Sequence, residues 1–141
     1  MPVLRRTWAP CGQTPTLAVR ARSHEKVSGI GALIVSPRRR RVTLALALYP
    51  RLNIRGPQVL RFLRHLARHV RGPFIVVWDR GRSHTHHLVQ AWLATHPRCH
   101  IVWVPPYAPD LNPVELLWGY LKYGRLANLT PDTVDDIQSN V

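Results

Sequence analysis

Five consecutive apolar residues, Phe74 to Trp78 (FIVVW), run without alternation and end in Asp79. A strand with one wet face alternates, so an unbroken run reads as a strand covered on both faces, as in parallel sheets. A second apolar run, Ile101 to Val104, follows after a helical segment and reads as another short strand. In open α/β sheets the chemistry lies beyond the carboxyl ends of the strands, which is where Asp79 falls.

The second strand opens the stretch IVWVPPYAPDLNPVELLW, Ile101 to Trp118. Pro105, Pro106, Pro109 and Pro113 stiffen its loop before a helix starts. Asn112 falls at the N-cap, Pro113 at the first helical position and Glu115 at the third. Val114, Leu117, Trp118 and Leu121 recur at i, i+3, i+4 and i+7, which predicts one buried face with Glu115 off it, beside the loop. A carboxylate held there by a stiff backbone, near the positive end of a helix dipole, suits a metal ligand. Asn-Pro-x-Glu is equally the pattern of an ordinary capping box, in which Glu115 would only satisfy a backbone donor. Asp79 upstream favours the first reading, because the two acids can then converge on one divalent cation.

Before these strands the chain changes period several times. Residues 1–26 are polar, basic and broken by Pro2, Pro10, Gly12 and Pro15, an extended segment whose RTW stretch suits a short edge strand. Ile30 to Val35 and Val42 to Tyr49, on either side of SPRRRR, predict an antiparallel hairpin over residues 27–49. Leu44, Leu46 and Leu48 alternate with small residues and suit one packed face. Arg38, Arg39, Arg40 and Arg41 fit a grip on DNA and equally a solvated turn. From Gly56 to Val70 an apolar stripe of Val59, Leu60, Leu63, Leu66, Ala67 and Val70 opposes Arg61, Arg64, His65, Arg68 and Arg71, a basic amphipathic helix. After Asp79, His84 to Thr95 reads as a helix with Leu88, Val89, Trp92 and Leu93 inward. His86 and His87 face apart on it and no partner follows at finger spacing, so zinc is not expected. His84, close to the Asp79 loop, fits a contact with phosphate. Thr130 and Pro131 mark a further helix start.

The charge balance points to a polyanion. Twenty Lys and Arg against seven acids give a formal net charge of +13, and 18 of the cations are Arg, which grips phosphate through two donors at once. Two cysteines, Cys11 and Cys99, are too few for a disulfide framework, and no apolar stretch approaches a membrane span or a signal peptide. A soluble protein of the cytoplasm, associated with the nucleoid, is the expectation, and 141 residues make at most one domain.

WDRGRSH, Trp78 to His84, followed after an interval by Glu115 inside PPYAPDLNPVE, resembles the DDE superfamily endonuclease domain of bacterial insertion-sequence transposases, the mariner-like group. RTWAPCGQTP, Arg6 to Pro15, is similar to the segment that family carries shortly after its first catalytic acid. The likeness covers nearly the whole chain, and PPYAPDLNPVE is its most specific part. It implies an α/β ribonuclease H-like fold, a mixed sheet flanked by helices, with the first strand in the centre between the hairpin and the Asp79 strand. It also implies that Asp79 and Glu115 are the second and third acids of a triad that holds two Mg²⁺ or Mn²⁺ ions. The first Asp has no match. The seven acids are Glu25, Asp79, Asp110, Glu115, Asp132, Asp135 and Asp136, and Glu25 lies after the RTWAP segment.

The expectation is therefore one partial catalytic domain over residues 1–141, with its α/β part over 56–141 and its first strand missing. Its sheet should be strained, repaired by the N-terminal segment or completed by another chain. The partners implied are transposon ends and target DNA, with Arg38, Arg39, Arg40, Arg41, Arg80, Arg82, His84 and Lys122 as candidate contacts, and a full-length transposase or upstream fragment. DNA strand cleavage and transfer is the expected reaction, with this isolated chain inactive. The rival reading is a non-enzymatic remnant that binds DNA or inhibits a complete transposase. PPYAPDLNPVE disfavours a cellular ribonuclease H-like nuclease.

Overall fold

A computed structural model describes residues 5–16, 26–36, 38, 40–106 and 108–128. Strands β1 (Val27–Ser36) and β2 (Arg41–Pro50) form the hairpin, antiparallel from Val27↔Pro50 to Ser36↔Arg41. Arg40 takes a left-handed φ of 45° where the chain turns into β2. One face of the hairpin carries Ile30, Ala32, Ile34 and Ser36 with their partners Ala47, Ala45, Thr43 and Arg41. The other carries Gly29, Gly31 and Leu33 with Leu48, Leu46 and Leu44, the face that the leucine alternation predicts.

Helix α1 (Gly56–His69) begins with the Arg55 N–H donating to Gln58 Oε1 at 3.1 Å. It buries Val59, Leu60, Leu63, Leu66 and Ala67 as expected, and Phe62 as well. Strands β3 (Phe74–Trp78) and β4 (Cys99–Trp103) pair in parallel, Phe74↔Cys99 to Trp78↔Trp103, with helix α2 (His87–Ala94) between them in the chain. α2 starts three residues later than its pattern suggests, because His84 and Thr85 turn back to donate their N–H groups to the Gly81 carbonyl. His86 caps it instead, its Nδ1 accepting from Leu88 N–H. Leu88, in the first turn and expected inward, is exposed, while Val89 and Trp92 are buried.

The core is Val59, Leu60, Leu63 and Ala67 of α1, Val89 and Trp92 of α2, and Trp78 and Cys99 of the sheet, with Phe74, Val76, Ile101 and Trp103 packed against it. One face of the β3–β4 sheet thus meets both helices. The other is open: Ile75 and Val77 are 65% and 58% exposed, so the reading of FIVVW as covered on both faces is corrected among the described residues. An apolar run records that a strand carries no polar side chain, not which part of a chain covers its second face. Leu63, only 1% exposed at the centre of the cluster, sets a stability test. Leu63→Ala should cost about 2–5 kcal/mol in denaturant unfolding, by lost transfer energy plus a cavity. A loss below 1 kcal/mol would place the core elsewhere.

Arg98 is structural. Its guanidinium donates to the carbonyls of Val70 (3.0 Å), Gly72 (3.3 Å) and Ala67, closing the carboxyl end of α1, and lies 5.7 Å over the Phe74 ring. Burial pushes the neighbouring Cys99 thiol above its usual pKa, against a smaller lowering by Arg98. A raised thiol pKa favours the neutral form in the fold, so its contribution to stability is complete below the ordinary thiol value and is lost as pH rises through the raised one.

The two sheets are not hydrogen-bonded to each other among the described residues. The expected mixed sheet is present in two halves, and the position between β1 and β3 is the one in which the expected order places its first strand. Arg5–Thr16 does not fill it. That segment forms no strand, leaves Trp8 fully exposed, and is tied by Arg5 to Asn128 Oδ1 and the Tyr123 carbonyl. Neither the RTW edge strand nor repair of the sheet by these residues is formed. Glu25, Arg39 and the Thr130–Pro131 helix start lie outside the described residues. No helix is long and apolar enough to cross a membrane among those described.

Candidate active site at the ends of β3 and β4

Asp79 leaves the carboxyl end of β3 and is wrapped at once. Its Oδ1 accepts from the Gly81 N–H at 2.8 Å and lies 2.8 Å from His84 Nδ1. The His84 ring stacks on the Trp78 indole, centroids 4.6 Å apart and planes within 9°, and Gln90 Nε2 donates to the His84 carbonyl. Trp78 stacks in turn on Trp103 at 5.8 Å. The turn depends on Gly81, because a Cβ there would stand 2.9 Å from Asp79 Oδ1. The Asp79 side chain is 61% exposed, so this pairing contributes little stability. Its effect is orientation: Oδ1 is engaged twice, and the second oxygen has no partner among the described residues. Trp78 Nε1 is buried without a hydrogen-bond partner among the described residues.

Glu115 follows β4 in the chain. Val104 N–H donates to the Trp78 carbonyl at 2.9 Å, continuing the ladder, so the chain leaves β4 beside Asp79. After a short 3₁₀ turn, Pro109–Leu111, helix α3 (Val114–Tyr120) begins one residue later than the sequence pattern suggests and runs into a π-helical turn, Leu121–Arg125. Asn112 still closes its start, its Oδ1 accepting from Val114 N–H at 3.2 Å and its carbonyl from Glu115 N–H at 3.0 Å. The Glu115 side chain is exposed and makes no hydrogen bond to a described residue, so the capping-box alternative is not realised. Leu121 is buried and Leu117 and Trp118 half-buried, as the spacing predicts.

Two glycines of β1, to which the sequence reading gave no role, hold α3 in place. The Trp118 ring comes within 3.1 Å of where a Gly29 Cβ would be, and Leu117 Cδ2 within 3.5 Å of the same point at Gly31. The hairpin therefore positions Glu115 while β3 positions Asp79. Among the described residues no hydrogen bond or shared partner joins the two carboxylates. Gly29→Val should overpack this contact and cost about 1–3 kcal/mol, with a changed near-ultraviolet tryptophan signal. An unaltered signal would show that α3 does not depend on that approach.

The other candidates are dispersed. Arg80 and Arg82 are exposed in the Asp79 loop, and Lys122 is exposed on the π-helical turn. His84 Nδ1 is turned onto Asp79 rather than outward. Arg38, Arg40 and Arg41 are at the hairpin tip. Ser36 and Arg41 border the same cavity as Val70 and Arg71, which precede β3, so the tip lies towards the amino end of that strand, away from Asp79. No cluster of three or more His, Cys, Asp or Glu side chains exists among the described residues. His86 Nδ1 is used in the α2 cap, and its ring stacks on His87 at 4.3 Å. Asp79 and Glu115 present carboxylate oxygens, the donors a hard divalent cation prefers.

Comparison with known proteins bears on this arrangement directly. The chain matches the DDE superfamily endonuclease family over residues 1–138. No curated protein matches it. Among solved structures it is similar to a chain in the crystal structure of the Mos1 strand transfer complex, with a TM-score of 0.61 and 17% identity, over 98% of this chain and 41% of that one. The chain thus spans less than half the length of its structural neighbour. Likeness at that identity shows the fold, which is ribonuclease H-like with its sheet in two described halves. With the family match running through both acidic positions and the strands that carry them, the chain belongs to the DDE superfamily endonucleases.

Proposed function

We propose that this chain is catalytic-domain sequence of a DDE transposase, in which Asp79 and Glu115 hold one divalent cation, Mg²⁺ or Mn²⁺, against DNA. The observation that carries the reading is the Glu115 side chain. It stands exposed at the start of α3, without a hydrogen-bond partner among the described residues, on the helix that follows the loop leaving β4 beside Asp79. The reactions are strand cleavage and transfer, the DNA partners transposon ends and target, and the place of action the nucleoid. The similarity to a strand transfer complex supports DNA as the partner. A bound cation would supply Lewis acidity for an attacking oxygen and a leaving oxygen at the phosphodiester. The chain's own residues prepare for it. Gly81 and His84 fix Asp79 Oδ1, the Trp78–His84 stack holds that pair, and Gly29 and Gly31 seat the helix that bears Glu115. Arg80, Arg82 and Lys122, with Arg38 to Arg41 at the hairpin tip, provide cations for the DNA backbone.

The test is Mn²⁺ binding to the 141-residue chain, read by electron paramagnetic resonance. Asp79→Asn and Glu115→Gln should each weaken binding at least tenfold, and the double variant little more than either. His84→Ala should weaken it about 10- to 100-fold, the usual effect of losing a group that orients a metal ligand. Independent effects of Asp79→Asn and Glu115→Gln would mean two separate sites and end the shared-cation reading. A second reading, a non-catalytic DNA-binding protein that inhibits a complete transposase, is favoured by the lack of a three-ligand cluster among the described residues.

A further inference from the structure

A cavity of about 610 Å³ opens between the hairpin tip and the carboxyl end of α1, lined by Ile34, Ser36, Arg41, Thr43, His69, Val70 and Arg71. It lies at the opposite end of β3 from Asp79, the length of a five-residue strand away, roughly 16 Å. Its construction follows from the register. Ile34 pairs with Thr43 and Ser36 with Arg41, so all four project from the face of the hairpin that is turned towards α1. No carboxylate lines it among the described residues. The guanidinium groups of Arg41 and Arg71 make neither an ion pair nor a hydrogen bond to any described residue, whereas Arg98 close by is fully used on the carbonyls of α1. His69 is held in place, its Nδ1 2.8 Å from the His65 carbonyl and its ring 4.1 Å from the His65 ring.

Two unpaired guanidiniums, two hydroxyls and an apolar floor of Ile34 and Val70 form a cleft for an anion that carries a hydrophobic body. We propose that this cleft is a second nucleic-acid grip, remote from Asp79 and Glu115, that takes a phosphodiester of duplex DNA between Arg41 and Arg71 with the adjoining deoxyribose on Ile34 and Val70. The inference rests on the reading of the chain as a DNA-binding transposase domain and adds a contact that cuts nothing. Its role is to fix the duplex along β3, so that a segment held at the hairpin tip is presented at the far end to the two carboxylates. Arginine suits this use because its planar fork engages two oxygens of one phosphate.

The experiment measures binding of a fluorescent duplex by anisotropy across a salt series, using the whole chain. Each phosphate contact contributes about 0.9 to the slope of log K against log salt, so the Arg41→Ala, Arg71→Ala double variant should lower the slope by about 2. The corresponding double lysine variant should keep the slope, since charge is retained, while weakening binding through loss of the fork. Both arginines are exposed and unpaired, and circular dichroism checks that the variants fold. An unchanged slope in the double alanine variant overturns the inference. If Arg80→Ala, Arg82→Ala lowers the slope in the same series, the DNA reading survives that failure. If the wild-type chain binds no duplex, the proposed function itself fails. Loss of inorganic pyrophosphate binding without a change in the duplex slope would mark a small-anion site and also overturn the proposal.

Discussion

In a plasmid-nicking assay with Mg²⁺ or Mn²⁺, the 141-residue chain should leave supercoiled DNA intact. Two-ion phosphodiester cleavage would need more carboxylate ligands than Asp79 and Glu115 alone, and no cluster of three or more His, Cys, Asp or Glu side chains exists among the described residues. Two carboxylates suffice for one weakly held, largely hydrated cation. An incomplete two-metal site forfeits several kcal/mol of transition-state stabilisation, on the order of a thousandfold or more in rate. The divided sheet adds to this loss, because β3 pairs only with β4 among the described residues and no strand there ties the Asp79 turn to the hairpin. The comparison is a fusion that places an extended strand ending in Asp ahead of residue 1. Metal-dependent nicking by the unfused chain, abolished in Asp79→Ala, would sink the expectation and identify Glu25 or a second chain as the source of the missing ligand.

The second large effect is on DNA affinity. With a formal net charge of +13 and exposed arginines at the hairpin tip, on α1 and in the Asp79 loop, binding to duplex should be nearly indifferent to sequence and collapse with salt. For six to ten phosphate contacts the loss between 50 and 200 mM salt is about 10³- to 10⁵-fold. Replacing Arg38, Arg39, Arg40 and Arg41 together by Ala should flatten the slope if the hairpin tip touches DNA. A slope unchanged by that replacement would assign the run to solvation of the turn. A preference for one sequence that persists at high salt would mean base readout, for which these residues provide no groove-reading element.

Much of the fold was legible because its signals are local. The change from period two to period 3.6 at Gly56, the apolar runs ending at Trp78 and Val104, and the Asn112–Glu115 helix start each follow from spacing, and each recurs in the structure within one to three residues. Features set by contact between distant segments were not legible. Leu88 was expected inward with the other apolar residues of a helix over His84 to Thr95, but it is exposed, and the turn around the Gly81 carbonyl that sets the start of α2 shows in no periodicity. FIVVW looks the same whether one or both of its faces are covered. Nothing in the sequence singles out Gly29 and Gly31, which Trp118 and Leu117 approach, or Arg98, which closes α1. At the site, Asp79 and Glu115 were both visible as acids at element ends. The part of His84 in holding Asp79 was hidden, because a contact five residues apart across an irregular turn has no fixed spacing.

The separation of the two sheets also bears on how the molecule opens. The hairpin meets the remainder chiefly through Trp118 and Leu117 over its two glycines and through Ile30 at the edge of the core. The α1, β3, α2 and β4 segments share one buried cluster of their own. A two-stranded ribbon by itself is marginal in water, so the β1–β2 amides should exchange with solvent through a local opening of low free energy, while those of β3 and β4 wait for global unfolding. Because α3 rests on the hairpin, each such opening frees the helix that bears Glu115. The two acidic positions therefore belong to different cooperative units, and anything that pins the hairpin to the core steadies the helix that bears one of them.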